Sequence, residues 1–506
     1  MTILISGRGL SQEDVVAVAR GSETVELDER ARSSMQTSAN IVASLVSQGT
    51  PAYGITTGFG SLASVSIPSE RTEELQRSLV RSHAAGMGDP VPREVVRAMV
   101  VLRARSLAMG YSGARPEIVD LMLALLNNGV TPVVPEHGSL GASGDLAPLA
   151  HCALVLIGEG TATLDDGTVL SGGDALARAG LAPIALRAKE GLALVNGTDG
   201  MLGMLVLALH DIAELLFVAD VAAAMSVEAL LGTDRAFAED LIALRPQAGQ
   251  TRSAENLRRM LAGSAIVASH RVGDPRVQDA YSLRCTPQVH GAALDALGFA
   301  AGTAERELES AIDNPMVFPD GRVESCGNFH GAPLATALDL LAISIADVGA
   351  LAERRTDRLL DPARSQGLPA FLAHEPGIDS GLMLAHYAQA AMVADNRRNA
   401  VPAGTDTLPT SAMQEDHVSM GWGAAMKLRR SIDNFRRIVA VELLCAARAL
   451  ELRRPLAAAR TTGTVRDLVL QHAGGPGRDR VVSPELSAVE SLVATGEIGS
   501  VARAAL

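Results

Sequence analysis

Beyond Asn196 the chain holds apolar residues at a helical spacing over unusually long stretches: Thr198 to Leu231, Pro333 to Leu360 and Gly421 to Arg453, with a shorter run from Ala300 to Ala311. Ordinary globular helices run about 10–14 residues. Several of these stretches are apolar nearly all round, the pattern of helices enclosed in a bundle. They predict a mainly α fold with a long-helix central bundle, its helices running through a multi-subunit core. The composition points the same way. The chain is 47% hydrophobic but only 3% aromatic, so its core must be mostly Ala, Leu and Val, and the abundance of Ala and Leu favours helix over sheet. With 506 residues it can bury a large core.

The first 200 residues read differently. Residues 1 to about 90 mix short β-like pieces, such as Thr24 to Leu27, with turns such as the Gly- and Thr-rich Tyr53 to Gly60. A helix starts at Arg93, and a second carries Ile118, Leu121, Met122 and Leu125 on one face and ends at Asn127-Asn128-Gly129. The Asp165-Asp166-Gly167 turn predicts a small strand pair within 160–185. The Pro/Gly-rich stretch Gly474 to Gly477 reads as a loop before a terminal helix. No linker or repeat interrupts the pattern. The economical organisation is one unit over 1–506, with a smaller mixed N-terminal region (1–200), a helical bundle (201–455) and a C-terminal segment (456–506).

Several functions are disfavoured. The net charge is −13 and no basic run is long enough to track phosphates, which argues against nucleic acid and anionic membrane. The N-terminus has no secretory pattern, and the most apolar stretches are too short or carry aspartates, so no membrane span is expected. Cys152, Cys285, Cys326 and Cys445 follow no Cys-x-x-Cys pattern and read as thiols of a reducing cytosol, giving a cytoplasmic expectation. No His-Glu-x-x-His occurs, His374 and His386 are not at zinc-ligand spacing, and no dinucleotide-binding glycine motif is present. Neither a metal nor an external cofactor is expected.

The chemistry concentrates in Gly138-Ser139-Leu140-Gly141-Ala142-Ser143-Gly144-Asp145-Leu146-Ala147-Pro148-Leu149-Ala150-His151, a loop predicted to feed a helix from Leu146 to Leu156. Ala142-Ser143-Gly144 is small enough to close on itself. Attack of the Gly144 nitrogen on the Ala142 carbonyl carbon, with loss of that oxygen and of the Ser143 hydroxyl as two waters, leaves a methylidene-imidazolone (MIO) electrophile. Gly144 has no Cβ to obstruct the turn, Ser143 supplies the leaving hydroxyl, and Asp145 can move protons during closure. A serine-hydrolase elbow does not fit, because Gly141-Ala142-Ser143-Gly144-Asp145 lacks its second glycine.

The whole stretch resembles the signature of the aromatic amino-acid ammonia-lyase and aminomutase family. At least four further motifs follow that family's order between about residues 10 and 455. These are Tyr53 to Gly60; Ser82-His83; Asn196-Gly197-Thr198; and Gln278 to Gln288 with Tyr281 and Arg284. Asp313-Asn314-Pro315, Asn328-Phe329-His330-Gly331 and the stretch around Glu415 also recur there.

The resemblance implies a homotetramer whose active sites draw loops from more than one subunit, and the elimination of ammonia from an aromatic amino acid. Relatives acting on histidine carry Ser-His at this place and a carboxylate where Glu415 stands, which suits an imidazole. The implied substrate is therefore L-histidine and the product trans-urocanate. In that scheme Arg284 and Asn196 hold the carboxylate end, with Gln278 and Tyr281 completing a polar wall. His83 and Glu415 hold the ring, and Phe329 walls the MIO. The base is Tyr53 or, second, Glu415. An aminomutase, which re-adds ammonia at the β-carbon, shares every one of these motifs and stays open.

Overall fold

The computed structural model describes residues 2–21 and 23–506. The chain forms two compact units, each built from three separate stretches. The first takes the residues up to Leu207 with Ala300–Asp339 and Pro402–Met426; the second takes Ala208–Phe299, Leu340–Val401 and Lys427–Leu506.

The first unit opens on two parallel strands, Thr2–Ile5 and Thr24–Leu27, paired from Thr2 with Thr24 to Ile5 with Leu27. Helix Gln12–Arg20 joins them. It starts at Ser11, whose hydroxyl accepts the Asp14 N–H while the Asp14 side chain reaches back to the Ser11 backbone. At the unit's centre is helix Arg93–Ala108, buried along almost its whole length, three arginines included. Those guanidiniums reach carbonyl oxygens of other segments: Arg97 donates to Val18 and Leu126, and Arg105 to Ser310 and Glu307. The arginines thereby close exposed carbonyl ends inside the core. Strands Thr161–Thr163 and Val169–Ser171 form the expected antiparallel pair. Helix Gly172–Arg178, capped by Ser171, follows at once, where the sequence reading had strand and turn only.

The three longest predicted helices occur as Asp199–Ala229, Ala332–Leu360 and Gly421–Leu452, within two residues of their expected ends. The fourth differs: it runs Thr286–Leu308, starting well before Ala300. Its first half carries Pro287 and Gly291, which hide the helical signal. Pro287 sits in the first turn, where a missing N–H matters least. Gly291 lies in the second unit against Gly249, and a Cβ on Gly291 would come within 2.3 Å of the Gln250 nitrogen. Close helix contact, not poor helix propensity, explains that glycine. The C-terminus holds three helices, Arg460–Ala473, Ser483–Ala494 and Glu497–Ala505. The last two are separated at Gly496, which has φ 75°, so the loop at 474–477 precedes two helices and not one.

By length and composition Asp199–Ala229 and Ala332–Leu360 could cross a membrane, a reading the sequence had set aside. Their most apolar windows are 72% and 61% buried within the protein, as core helices are.

Candidate active site

Ala142-Ser143-Gly144 lies in a tight turn ahead of helix Leu146–Leu156. Gly141 and Gly144 take φ of 67° and 76°, and their backbones bridge each other. Gly144 also bridges Gly197, and the Asp145 N–H donates to the Gly197 carbonyl at 2.6 Å. A Cβ on Gly144 would fall 2.1 Å from that carbonyl oxygen, and one on Gly197 would fall 2.0 Å from Arg103 Nη1. Glycine is required at both places, by the positive φ at Gly144 and by space at each. The turn thus folds Ala142 and Gly144 toward each other while Ala142 and Ser143 stay half-buried and reachable.

Ser143 Oγ donates to Asn196 Oδ1 at 2.6 Å. Asn196 ends the short helix Glu190–Val195 and is itself buried. Its Nδ2 donates to Asp313 Oδ1 at 2.9 Å and to the Asn314 carbonyl at 3.0 Å. Lys189 Nζ donates to Asp313 Oδ2 at 2.8 Å, with both side chains fully buried. Arg103 holds the Asn196 carbonyl at 3.1 Å, the Asp199 carboxylate at 2.9 Å and the Ile312 carbonyl at 3.1 Å. The sequence reading did not find Lys189 or Arg103 as part of this site. One signal was available for Lys189, since the chain has only one other lysine.

Asp145 is fully buried. It accepts from Ser139 Oγ at 3.0 Å and from the Met201 N–H at 2.8 Å. Burial pushes its carboxyl up to about 7 against the opposing pull of these donors. It can therefore exchange a proton near neutrality beside the tripeptide.

Tyr53 is half-buried, and its hydroxyl accepts the Gly60 N–H at 3.0 Å, closing the Tyr53–Gly60 loop on itself. Gln76 fixes that loop to the Asn196 helix, donating to the Gly54 carbonyl at 3.3 Å and accepting the Leu192 N–H at 3.0 Å. His83 is the last residue of helix Thr72–His83, its Nδ1 3.1 Å from Ser82 Oγ. Burial lowers the His83 imidazole's pKa; the Leu79 backbone and then the Glu415 carboxylate pull it back up. Glu415 is half-buried and accepts from Thr410 Oγ1 at 2.8 Å. His83 and Glu415 therefore sense each other's charge within the first unit.

Phe329 is half-buried, and its neighbour His330 stacks on His417 with ring centres 5.7 Å apart. His151, the last residue of the signature, accepts the Gly86 N–H on Nε2 at 3.1 Å and so ties the segment after His83 to the helix that follows the tripeptide. That role was not legible in the sequence.

Gln278, Tyr281 and Arg284 belong to the second unit. Arg284 lies over the Tyr281 ring, 4.6 Å from its centre, and its Nε donates to the Asp279 carbonyl at 2.9 Å. Tyr281 is 69% exposed and Gln278 is exposed. Arg284 pairs with no carboxylate among the described residues, so its terminal nitrogens are available to a ligand. All four cysteines are free thiols. No group of three or more His, Cys, Asp or Glu among the described residues is placed to hold a metal ion.

A family model described as aromatic amino acid lyase matches residues 10–471. The chain is 56% identical to a histidine ammonia-lyase from Streptomyces avermitilis, over 98% of this chain and 97% of that one. It superposes with a TM-score of 0.92 on the crystal structure of histidine ammonia-lyase from Trypanosoma cruzi, at 38% identity and covering 100% and 96% of the two chains. It also superposes with a TM-score of 0.93 on tyrosine aminomutase from Streptomyces globisporus, at 35% identity and covering 100% and 99%. With a family match over nearly its whole length and relatives this similar, the chain belongs to the aromatic amino acid lyase family.

Proposed function

We propose that this protein is an ammonia-lyase that converts L-histidine to trans-urocanate and ammonia without oxidation. The reading is carried by His83 and Glu415, an imidazole and a carboxylate on the unit that bears Ser143, near enough that the Glu415 charge favours a protonated His83. An imidazole and a carboxylate together can bind a substrate ring that both donates and accepts hydrogen bonds. The relatives named histidine ammonia-lyase support the same substrate.

The electrophile in this reading is the MIO made from Ala142-Ser143-Gly144. The residues fit it: the turn is tight, glycine is required where ring closure needs a bare Cα, and the Ser143 hydroxyl is held. Once formed, the group supplies a methylene carbon that takes up the substrate's amino group and makes it a better leaving group. The remaining work falls to side chains. Arg284 grips the carboxylate with its free guanidinium end, Gln278 and Tyr281 wall it, and Asn196 stands at the same end of the substrate. His83 and Glu415 hold the imidazole, and Phe329 closes the side of the ring. Tyr53 is the first candidate for the base that removes the β-proton, and Glu415 the second. Loss of that proton and of ammonia balances the reaction with no change in oxidation state. The protein acts as a cytoplasmic homotetramer with sites completed by loops of more than one subunit, and it needs no external cofactor.

The test is ultraviolet absorbance of the purified protein with L-histidine, beside a Ser143→Ala control and an L-tyrosine control. Urocanate formed only by the unaltered protein on histidine is the expected result. Formation of β-histidine in its place would make the protein an aminomutase.

A further inference from the structure

An asparagine amide offers an acceptor at one end and two donors at the other, and only its surroundings decide which end faces a site. At Asn196 the surroundings are unambiguous. One end lies between the Asp313 carboxylate, at 2.9 Å, and the Asn314 carbonyl, at 3.0 Å. Both are acceptors. A reversed amide would press its oxygen against them in a site closed to water. The donor end must therefore face Asp313, which leaves Oδ1 for the Ser143 hydroxyl at 2.6 Å.

Asp313 is fixed in turn. Besides Asn196, its Oδ1 accepts the Asn314 N–H at 2.7 Å, and its Oδ2 accepts Lys189 Nζ at 2.8 Å. Lys189 reaches this position from a backbone φ of 68°, a region that side-chain-bearing residues rarely adopt. It is one of only two lysines among 44 Lys and Arg residues. The buried cation near it, Arg103, is an arginine, bound to the Asn196 and Ile312 carbonyls and to the Asp199 carboxylate.

We propose that Lys189 and Asp313 are positioning residues that lock the Asn196 amide with its carbonyl oxygen toward Ser143, so that the site meets an acceptor there. This rests on the MIO reading for its consequences. Before closure the acceptor holds the Ser143 hydroxyl. In closure the Gly144 nitrogen bonds to the Ala142 carbonyl carbon. That oxygen leaves as water with the Gly144 and Ser143 N–H protons, and Ser143 Oγ leaves as a second water with its own proton and the Cα proton. After closure the same oxygen faces the substrate. An acceptor repels a carboxylate and receives an ammonium, so Asn196 serves the amino group and leaves the carboxylate to Arg284.

The test exchanges the polarity of the pair. Asn196→Asp alone sets two carboxylates against each other, and its melting temperature in alkaline buffer should fall well below that of the unaltered protein. Asn196→Asp together with Asp313→Asn restores a donor facing an acceptor, and should recover most of that loss. Lys189→Met with Asp313→Asn removes both charges without stranding one. It should fold, show a smaller fraction of molecules lacking two waters by intact mass, and lose on the order of tenfold in kcat with a smaller change in KM.

Equal stability of Asn196→Asp and the exchange variant, or a folded Lys189→Met/Asp313→Asn protein with full water loss and unaltered kcat, would overturn the lock. Absence of the two-water loss in the unaltered protein would overturn the electrophile reading alone, because the stability exchange still decides the amide's orientation.

Discussion

Burial and the Glu415 carboxylate act in opposite directions on the His83 proton. Burial disfavours a charged His83, and Glu415 favours it. In the proposed reading the substrate imidazole binds against this pair. Replacing His83 by Leu removes one hydrogen-bonding wall, so kcat/KM for L-histidine should fall about ten- to a hundredfold, while the two-water mass loss stays intact. Asp145 makes a different prediction. Its pKa is raised from 3.8 to about 7, so between those values the folded protein keeps a proton that the unfolded chain has released. The stability linked to this group is fully present below 3.8 and is lost as pH rises through about 7. The melting temperature of Asp145→Asn, measured against pH, should lack that component, and the difference from the unaltered protein should level off above neutrality. Asp145 was legible as a candidate proton carrier from its place in the signature. Its unusual titration was not, because that depends on burial among Ser139, Met201 and Asp199, which are brought together only by folding.

Among elements, the two-glycine contact between the tripeptide turn and the start of helix Asp199–Ala229 is a tight constraint on the site. Gly144→Ala would collide with the Gly197 carbonyl and place a side chain at φ 76°. The backbone strain alone costs about 1–3 kcal/mol, and the protein should retain the mass of an uncyclised chain. A contrasting change lies far along the chain. Ser11→Ala removes the cap of helix Gln12–Arg20 and should destabilise by about 1 kcal/mol with no change in kcat/KM. Loss of activity there would mean that the N-terminal strand pair supports the site. Helices with unbroken apolar spacing were legible to within two residues. The helix Thr286–Leu308 was not, since its glycine marks a close contact with a segment some forty residues earlier in the chain.

For the whole molecule, the second unit has its own buried anchor, the Arg355–Glu442 ion pair, whose side chains are fully enclosed. Arg355→Met strands the Glu442 charge and should lower stability by about 3–5 kcal/mol, read by chemical denaturation. Arg355→Met with Glu442→Leu should recover much of that. Subunit sharing is tested by mixing two inactive proteins, Ser143→Ala and Arg284→Met, under conditions that exchange subunits. If one active site takes Ser143 and Arg284 from different chains, the mixture regains urocanate formation. If each site is built from one chain, it stays inactive.

The sequence by itself determined what is local. A 3.6-residue apolar repeat fixes a long helix, and the small residues around Ser143 fix a tight turn. The order of the motifs carried the family and with it the substrate class. Only the tertiary structure decided how the groups act on one another. It put Lys189 and Asp313, over a hundred residues apart, into one dry ion pair behind Asn196, and it set which end of that amide meets Ser143. The physical reason is that hydrogen-bond direction and desolvation belong to the surroundings of a side chain, and those surroundings are supplied by segments distant in sequence.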